Sequence, residues 1–95
     1  MEVPALQSDL NHSFGLDLPE TATIEMLEGV LADRVNTMIT ADFNGLISLL
    51  YRIDVSETKL KQLLRENAGA DSGLLIARLI LQRQWQKIET RRKYR

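Results

Sequence analysis

Apolar residues recur at steps of three and four positions through most of the chain after residue 20, which is the period of an α-helix with one buried face. The first such run begins at Thr21 or Thr23, either of which can cap a helix N-terminus. Its apolar stripe consists of Ile24, Leu27, Leu31, Val35 and Met38. The pattern pauses at residues 40–42, where Thr40 or Asp42 predicts the cap of a second helix. That helix would bury Phe43, Leu46, Ile47, Leu50 and Ile53.

Two further helices are predicted on either side of the polar segment NAGADSG, residues 67–73. The third would run from residue 55 to residue 66, with Asp54 as its cap and Glu57, three positions later, completing a capping box. Its apolar face would bury Leu60, Leu63 and Leu64. The last helix, over residues 73–92, is apolar on more than one face in its first half, so it should lie at the centre of the domain. No segment shows the period-two alternation of a β-strand.

The N-terminal residues 1–19 lack a sustained helical period and contain Pro4, Gly15 and Pro19, which predicts an irregular arm. A length of 95 residues, 44% hydrophobic and 26% charged, is that of one globular domain. The sequence therefore predicts an all-α fold. Its core would be a compact four-helix domain over residues 20–95, either orthogonal or bundle-like, that follows the N-terminal arm.

Charge is distributed unevenly along the chain. Residues 1–42 hold eight acidic side chains and one basic one, a net −7, whereas residues 78–95 hold seven basic and one acidic, a net +6. This asymmetry predicts that the first helix lies antiparallel to the last. The basic residues near the C-terminus of the last helix would also lie at the negative end of that helix's dipole. The groups expected to meet are Glu20, Glu25 and Glu28 on one side and Lys87, Arg91 and Arg92 on the other. The alternative is that the basic end contacts nucleic acid or anionic lipid.

The segment from residue 46 to residue 64 resembles a helix-turn-helix DNA-binding motif. The resemblance implies that Lys59, Lys61, Gln62 and Arg65 would face DNA, with the cations on phosphates and the amide on base edges. Two positions depart from that family's pattern. Asp54 stands where the family has a left-handed glycine, and Leu50 where it has a small alanine that lets the helices approach. The acidic pI of about 5.8 also disfavours a phosphate binder.

A second resemblance rests on the segments LYRIDVSE (residues 50–57 with Leu50 first) and LILQRQWQKIETR. They are similar to segments of a group of small helical bacterial proteins that have no known activity. The resemblance implies a bacterial source and a single structural unit over residues 21–92. It implies no functional site.

The sequence offers little for catalysis or for a cofactor. His12 is the single histidine and there is no cysteine, so neither a metal site nor a nucleophile with an oriented base is expected. No apolar run approaches the length of a membrane span, and the first residues do not have the pattern of a signal peptide. We therefore expect a cytoplasmic protein that is not an enzyme and that has no cofactor, metal or membrane contact.

The hypothesis that remains is a protein-interaction module whose partner is either a second copy of the chain or another protein. Nucleic acid is the less favoured partner. Tyr51 and Arg52 could form a binding corner. The alternative is that the Tyr51 ring is half-buried in the fold and only its hydroxyl contacts water. Trp85 lies on the apolar stripe of the last helix and would be either core or an interface anchor. Arg91 and Arg92 complete the candidate contact residues.

Overall fold

The last helix is the element on which the others pack. The structure, a computed structural model, describes residues 2–67, 69 and 71–93. Within those ranges it contains five helices: α1 (Val3–Phe14), α2 (Ile24–Ala41), α3 (Phe43–Arg52), α4 (Glu57–Glu66) and α5 (Ser72–Lys93). α1, α2 and α4 all contact α5. The all-α class and the central last helix are confirmed, and the radius of gyration of 13.2 Å is that of a compact chain of this length.

The predicted irregular arm is wrong for residues 3–14, which form α1, so the described residues contain five helices and not four. Pro4 lies in the first turn of α1, where its missing N–H has no intrahelical partner to lose. Gly15 ends the helix with a φ of 64°, the left-handed conformation that glycine adopts without steric cost. Leu6 and Leu10, one turn apart, are fully buried in the same core as the other helices.

The connection from α1 to α2 is held against α1 by side-chain amides. Asn11 accepts a hydrogen bond from the Leu18 N–H (2.8 Å) and donates one to the Leu18 carbonyl (3.0 Å). The buried Gln7 donates to the same carbonyl at 2.8 Å. Leu18 and Ala22 are buried as a result, so part of this connection belongs to the core.

The helix starts follow the predicted caps in α2 and α3 but not in α4. Thr23 accepts from the N–H of Met26, and Asp42 accepts from the N–H of Gly45. The cap of α4 is Ser56, so the predicted capping box from Asp54 is wrong. Asp54 instead has a φ of 62°, in the left-handed region that few residues other than glycine adopt. This conformation turns the chain from α3 into α4.

α2 and α5 lie antiparallel, as the charge pattern predicted, but the ion pairs differ from those expected. Glu28, early in α2, pairs with Arg78 at 2.9 Å. Asn36, late in α2, donates to the Asp71 carboxylate just before α5, and the same carboxylate accepts a hydrogen bond from the Leu74 N–H. The Leu74 N–H and, secondly, the Asn36 amide hold the pKa of Asp71 below its ordinary value.

The basic end of α5 meets α1 rather than α2. Arg92 pairs with Glu2 at 2.6 Å and Arg91 with Asp9 at 3.6 Å. The predicted partners Glu20 and Glu25 are exposed and form no ion pair within the described part of the chain. The acidic partners of the basic end are therefore on a helix that the sequence pattern did not reveal, and Arg95 lies outside the described residues.

α4 is the most peripheral helix. It has no buried residue, and Leu60, Leu63 and Leu64 are only half-buried, which corrects the expectation that they are core. Of the three, Leu60 packs against the main core. None of the helices in the described ranges is both long and apolar enough to cross a bilayer.

Candidate functional site

A stripe of large apolar side chains is exposed along α3. Phe43, Ile47 and Tyr51 are 56%, 47% and 87% exposed, and their spacing of four residues places them in one row on the helix surface. The remaining apolar residues of α3 and its C-cap, namely Leu46, Leu49, Leu50 and Ile53, are buried in the core. α3 is therefore apolar on two sides, of which the fold covers one.

The exposed stripe has the size of a functional surface patch. A fully exposed aromatic side chain presents about 150–250 Å², so the three exposed fractions leave roughly 350 Å² of apolar surface in contact with water. Single exposed apolar residues are common on proteins, but contiguous patches of about 300–600 Å² are often binding surfaces. We name Phe43, Ile47 and Tyr51 the α3 stripe.

Tyr51 and Arg52, predicted to form one binding corner, point to different sides of α3. Tyr51 belongs to the α3 stripe, and its 87% exposure corrects the alternative prediction of a half-buried ring. Arg52 follows it by one position, which turns the side chain by about 100° around the helix. It lines a cleft between α1, α3 and α5. The two residues therefore serve different surfaces.

Trp85 and Arg92 are brought together at the end of α5, where Arg92 also pairs with Glu2. Trp85 is half-buried against the core, and the Arg92 guanidinium lies 5.8 Å from its ring centroid, a cation–π distance. Arg92 also donates to Glu2 at 2.6 Å. That hydrogen bond lowers the pKa of Glu2 and raises the pKa of Arg92. The Arg92–Glu2 pair thus fastens the start of α1 to the end of α5.

Arg91 is likewise engaged with α1. It lies 3.6 Å from one oxygen of Asp9, while the other oxygen accepts a 2.7 Å hydrogen bond from the Gln84 amide. Gln84 is 4% exposed, and its own carbonyl oxygen Oε1 is buried without a hydrogen-bond partner among the described residues. A buried oxygen without a hydrogen-bond partner lowers the stability of the fold, and such atoms are rare in folded proteins.

The four residues assigned to DNA in the alternative hypothesis are all exposed on α4. Lys61, Gln62 and Arg65 share its outer face. Lys59 instead lines a cleft between the turn preceding α4 and α5. Lys61 pairs with Glu57 at 3.0 Å and Gln62 donates to Glu66 at 3.0 Å, so half of the set is engaged within the helix.

The helical spacing of Phe43 and Ile47 predicts that both are core residues, whereas the structure exposes them in the α3 stripe. The number of large apolar residues in this segment already indicated a second apolar face. Six large apolar residues lie among positions 43–51, more than one helix face can bury against a single layer. What the pattern cannot say is which of the two apolar sides meets the rest of the fold.

Within the described residues, no cluster of three or more histidine and carboxylate side chains could hold a metal ion. No protein-family model, curated protein or solved structure matches this chain. The class of the protein is therefore stated by its architecture: the described residues form a small five-helix domain. Its exposed large apolar side chains lie on α3, in the α3 stripe, and on α2, at Met26 and Val30.

Proposed function

We propose that the chain is a non-enzymatic protein-interaction domain that pairs with a second copy of itself through the α3 stripe. The observation that carries the proposal is the row of Phe43, Ile47 and Tyr51 on a helix whose opposite side is core. Ordered apolar side chains in one row favour docking of another helix, because such rows form the ridges that interlock between packed helices.

The stripe is suited to a second copy because Ile47 lies midway between the two aromatic residues. In an antiparallel pair of α3 helices related by a two-fold axis at Ile47, Phe43 of each copy would lie beside Tyr51 of the other. Such an arrangement is self-complementary, as a two-fold interface must be. Aromatic pairs at interfaces add to the free energy that buried area alone contributes.

The area of the stripe indicates a dimer of moderate affinity. A standard interface buries about 800 Å² on each partner, of which a little over half is apolar. The stripe supplies roughly 350 Å² of that apolar surface, so neighbouring residues must complete the interface. We therefore expect association in the micromolar range.

A charge exchange at Ile47 tests the proposal. Ile47→Glu or Ile47→Lys alone places two like charges at the two-fold axis, and each variant should be monomeric by analytical ultracentrifugation. Their mixture should restore the dimer, because opposite charges then meet. The matched control is Val30→Glu, which adds the same charge at an apolar residue of α2 that is 39% exposed and should leave the dimer intact.

The unmodified chain should form a dimer as its concentration rises from about 1 to about 300 µM, the range appropriate to such an interface. A chain that stays monomeric throughout would contradict the proposal. So would a dimer that Ile47→Glu and Val30→Glu weaken equally, because the interface would then lie elsewhere.

A second candidate function is DNA binding by α3 and α4 as a helix-turn-helix. The left-handed Asp54 in the turn favours it, because that backbone conformation is the one the motif requires there. Leu50 remains large and buried at the close-packing position, which disfavours it.

The two functions separate in a fluorescence anisotropy titration with duplex DNA. If α4 binds phosphates, Lys61→Gln with Arg65→Gln should weaken binding and reduce the dependence of log K on log salt by about 0.9 for each phosphate that is no longer neutralised. On the dimer hypothesis no salt-sensitive DNA complex forms, and these two substitutions leave the dimer unchanged.

A further inference from the structure

A cleft of about 400 Å³ lies where the last turns of α1 and α3 meet the C-terminal half of α5. Its charged and polar lining includes Asp9, His12, Arg52, Gln84, Lys87 and Arg91. We name it the α1–α3–α5 cleft. It lies on a different side of α3 from the α3 stripe, because Arg52 lines it and Tyr51 does not. The volume is sufficient for a small molecule, and the charge of the cleft is what distinguishes it from hollows of similar volume elsewhere on the described surface.

The cations of the cleft exceed its anions. Arg52, Lys87 and Arg91 carry three positive charges against the single negative charge of Asp9. Arg91 is paired with Asp9, whereas Arg52 and Lys87 form no hydrogen bond or ion pair with the described residues. The C-terminal ends of α1 and α3 carry partial negative charge, which offsets part of the positive potential of the cleft. Arg52 and Lys87 still have no ion-pair partner among the described residues.

Two features show that the cleft is more than exposed surface charge. Burial, and secondly the neighbouring Arg83 guanidinium, lowers the pKa of Lys87, and the Asp54 and Asp9 carboxylates offset only part of that effect. Gln84, 4% exposed, lines the cleft and leaves its Oε1 without a partner. Rotating that amide by 180° would not help, because the oxygen would then face the Asp9 carboxylate that the NH₂ group now binds at 2.7 Å.

We propose that the α1–α3–α5 cleft binds the phosphate group of a small organic phosphate. A phosphate dianion would supply a partner to both Arg52 and Lys87, and guanidinium groups bind its oxygens in a favourable planar geometry. Phe14 and Leu49, which also line the cleft, contact the carbon skeleton of the ligand. The cleft volume admits a molecule of the size of a sugar phosphate.

The test is an NMR titration of the ¹⁵N-labelled chain in a phosphate-free buffer at fixed ionic strength, with glucose 6-phosphate, inorganic phosphate and glucose as the three probes. Glucose 6-phosphate should cause saturable shifts at the amides of Arg52, Gln84 and Lys87, and glucose should cause none. Tighter binding of glucose 6-phosphate than of inorganic phosphate supports an organic phosphate as the ligand. Equal binding of the two overturns the organic part of the proposal, because the cleft would then recognise the phosphate group alone.

Arg52→Gln with Lys87→Gln should weaken binding of glucose 6-phosphate by roughly tenfold or more, since each removes a charge-assisted hydrogen bond. The matched control is Lys61→Gln with Arg65→Gln, which removes the same charge from α4. The single variant Arg52→Gln, at an exposed residue, gives the same direction if the double variant is unstable. The proposal is overturned if no phosphate probe saturates, if glucose binds equally well, or if both double variants weaken binding to the same extent.

Discussion

Truncation of Leu10 to alanine is the sharpest test of the fold, because it asks whether α1 is part of the core. Leu10 is fully buried, and Leu10→Ala removes three carbon atoms from an apolar environment. At about 0.8 kcal/mol for each, the lost transfer free energy is about 2.4 kcal/mol, and the cavity left behind raises the total toward about 3–4 kcal/mol. A domain of this length has a free energy of unfolding of about 5–14 kcal/mol, so the loss is a large fraction of it.

Thermal and urea unfolding, followed by far-ultraviolet circular dichroism, would measure the effect. At about 4–8 °C per kcal/mol for a small domain, Leu10→Ala should lower Tm by at least about 12 °C. Met26→Ala is the control, because Met26 is 44% exposed and methionine and alanine have similar helix propensities. If the two substitutions shift Tm equally, α1 does not contribute to the core and the packing described for it is wrong.

Three further substitutions test single interactions, each by urea unfolding. Asp54→Gly should raise the free energy of unfolding by about 0.5 kcal/mol, because glycine adopts the left-handed φ of 62° without strain; a decrease would show that the exposed 3.4 Å pair with Arg83 matters more. Arg83→Ala should cost about 1–2 kcal/mol through removal of the 3.2 Å hydrogen bond to the Ile53 carbonyl, and no change would mean that water replaces the donor. Because Arg92 lowers the pKa of Glu2, this ion pair stabilises the fold at pH values above the pKa of Glu2 in the unfolded chain. The contribution is lost as the pH falls below about 4, and Glu2→Gln should remove that part of the acid dependence. An unchanged acid profile would contradict this role.

The parts of the fold that could be predicted are those in which one local signal has one structural meaning. Thr23 and Asp42 are caps because a short polar side chain before an apolar run can satisfy free N–H groups. The central position of α5 follows from apolar residues that exceed one face, and the structure confirms it. The class of the fold follows from such signals alone.

α1 was not predicted because proline and glycine, here Pro4 and Gly15, are typical of segments that interrupt a helix. Leu6, Leu10 and Phe14 in fact repeat at steps of four. Pro4 in the first turn and Gly15 just after the last are start and stop signals of a helix, and only their position relative to the apolar repeat distinguishes the two meanings. The ion pairs of the basic end were assigned to the wrong helix for the same reason.

The exposure of the candidate surfaces could not be predicted, because a helical period identifies apolar faces and not the neighbours that cover them. Phe43 and Ile47 follow the same spacing as buried residues of α3 and yet remain exposed. The α1–α3–α5 cleft joins His12, Arg52 and Lys87 across three helices. Residues so distant in sequence come together only through the packing of α1, which the sequence pattern does not predict.

The docking of α1 on α5 has a consequence for folding during synthesis. α1 ends at Phe14 and α5 ends at Lys93, so the surface that covers Leu6 and Leu10 is made almost 80 residues after them. At about 5–20 residues per second, the ribosome takes roughly 4–16 s to produce it. During that time the apolar side of α1 is exposed to water and to other chains. The apolar side of α1 is therefore an aggregation hazard until the last helix has been made.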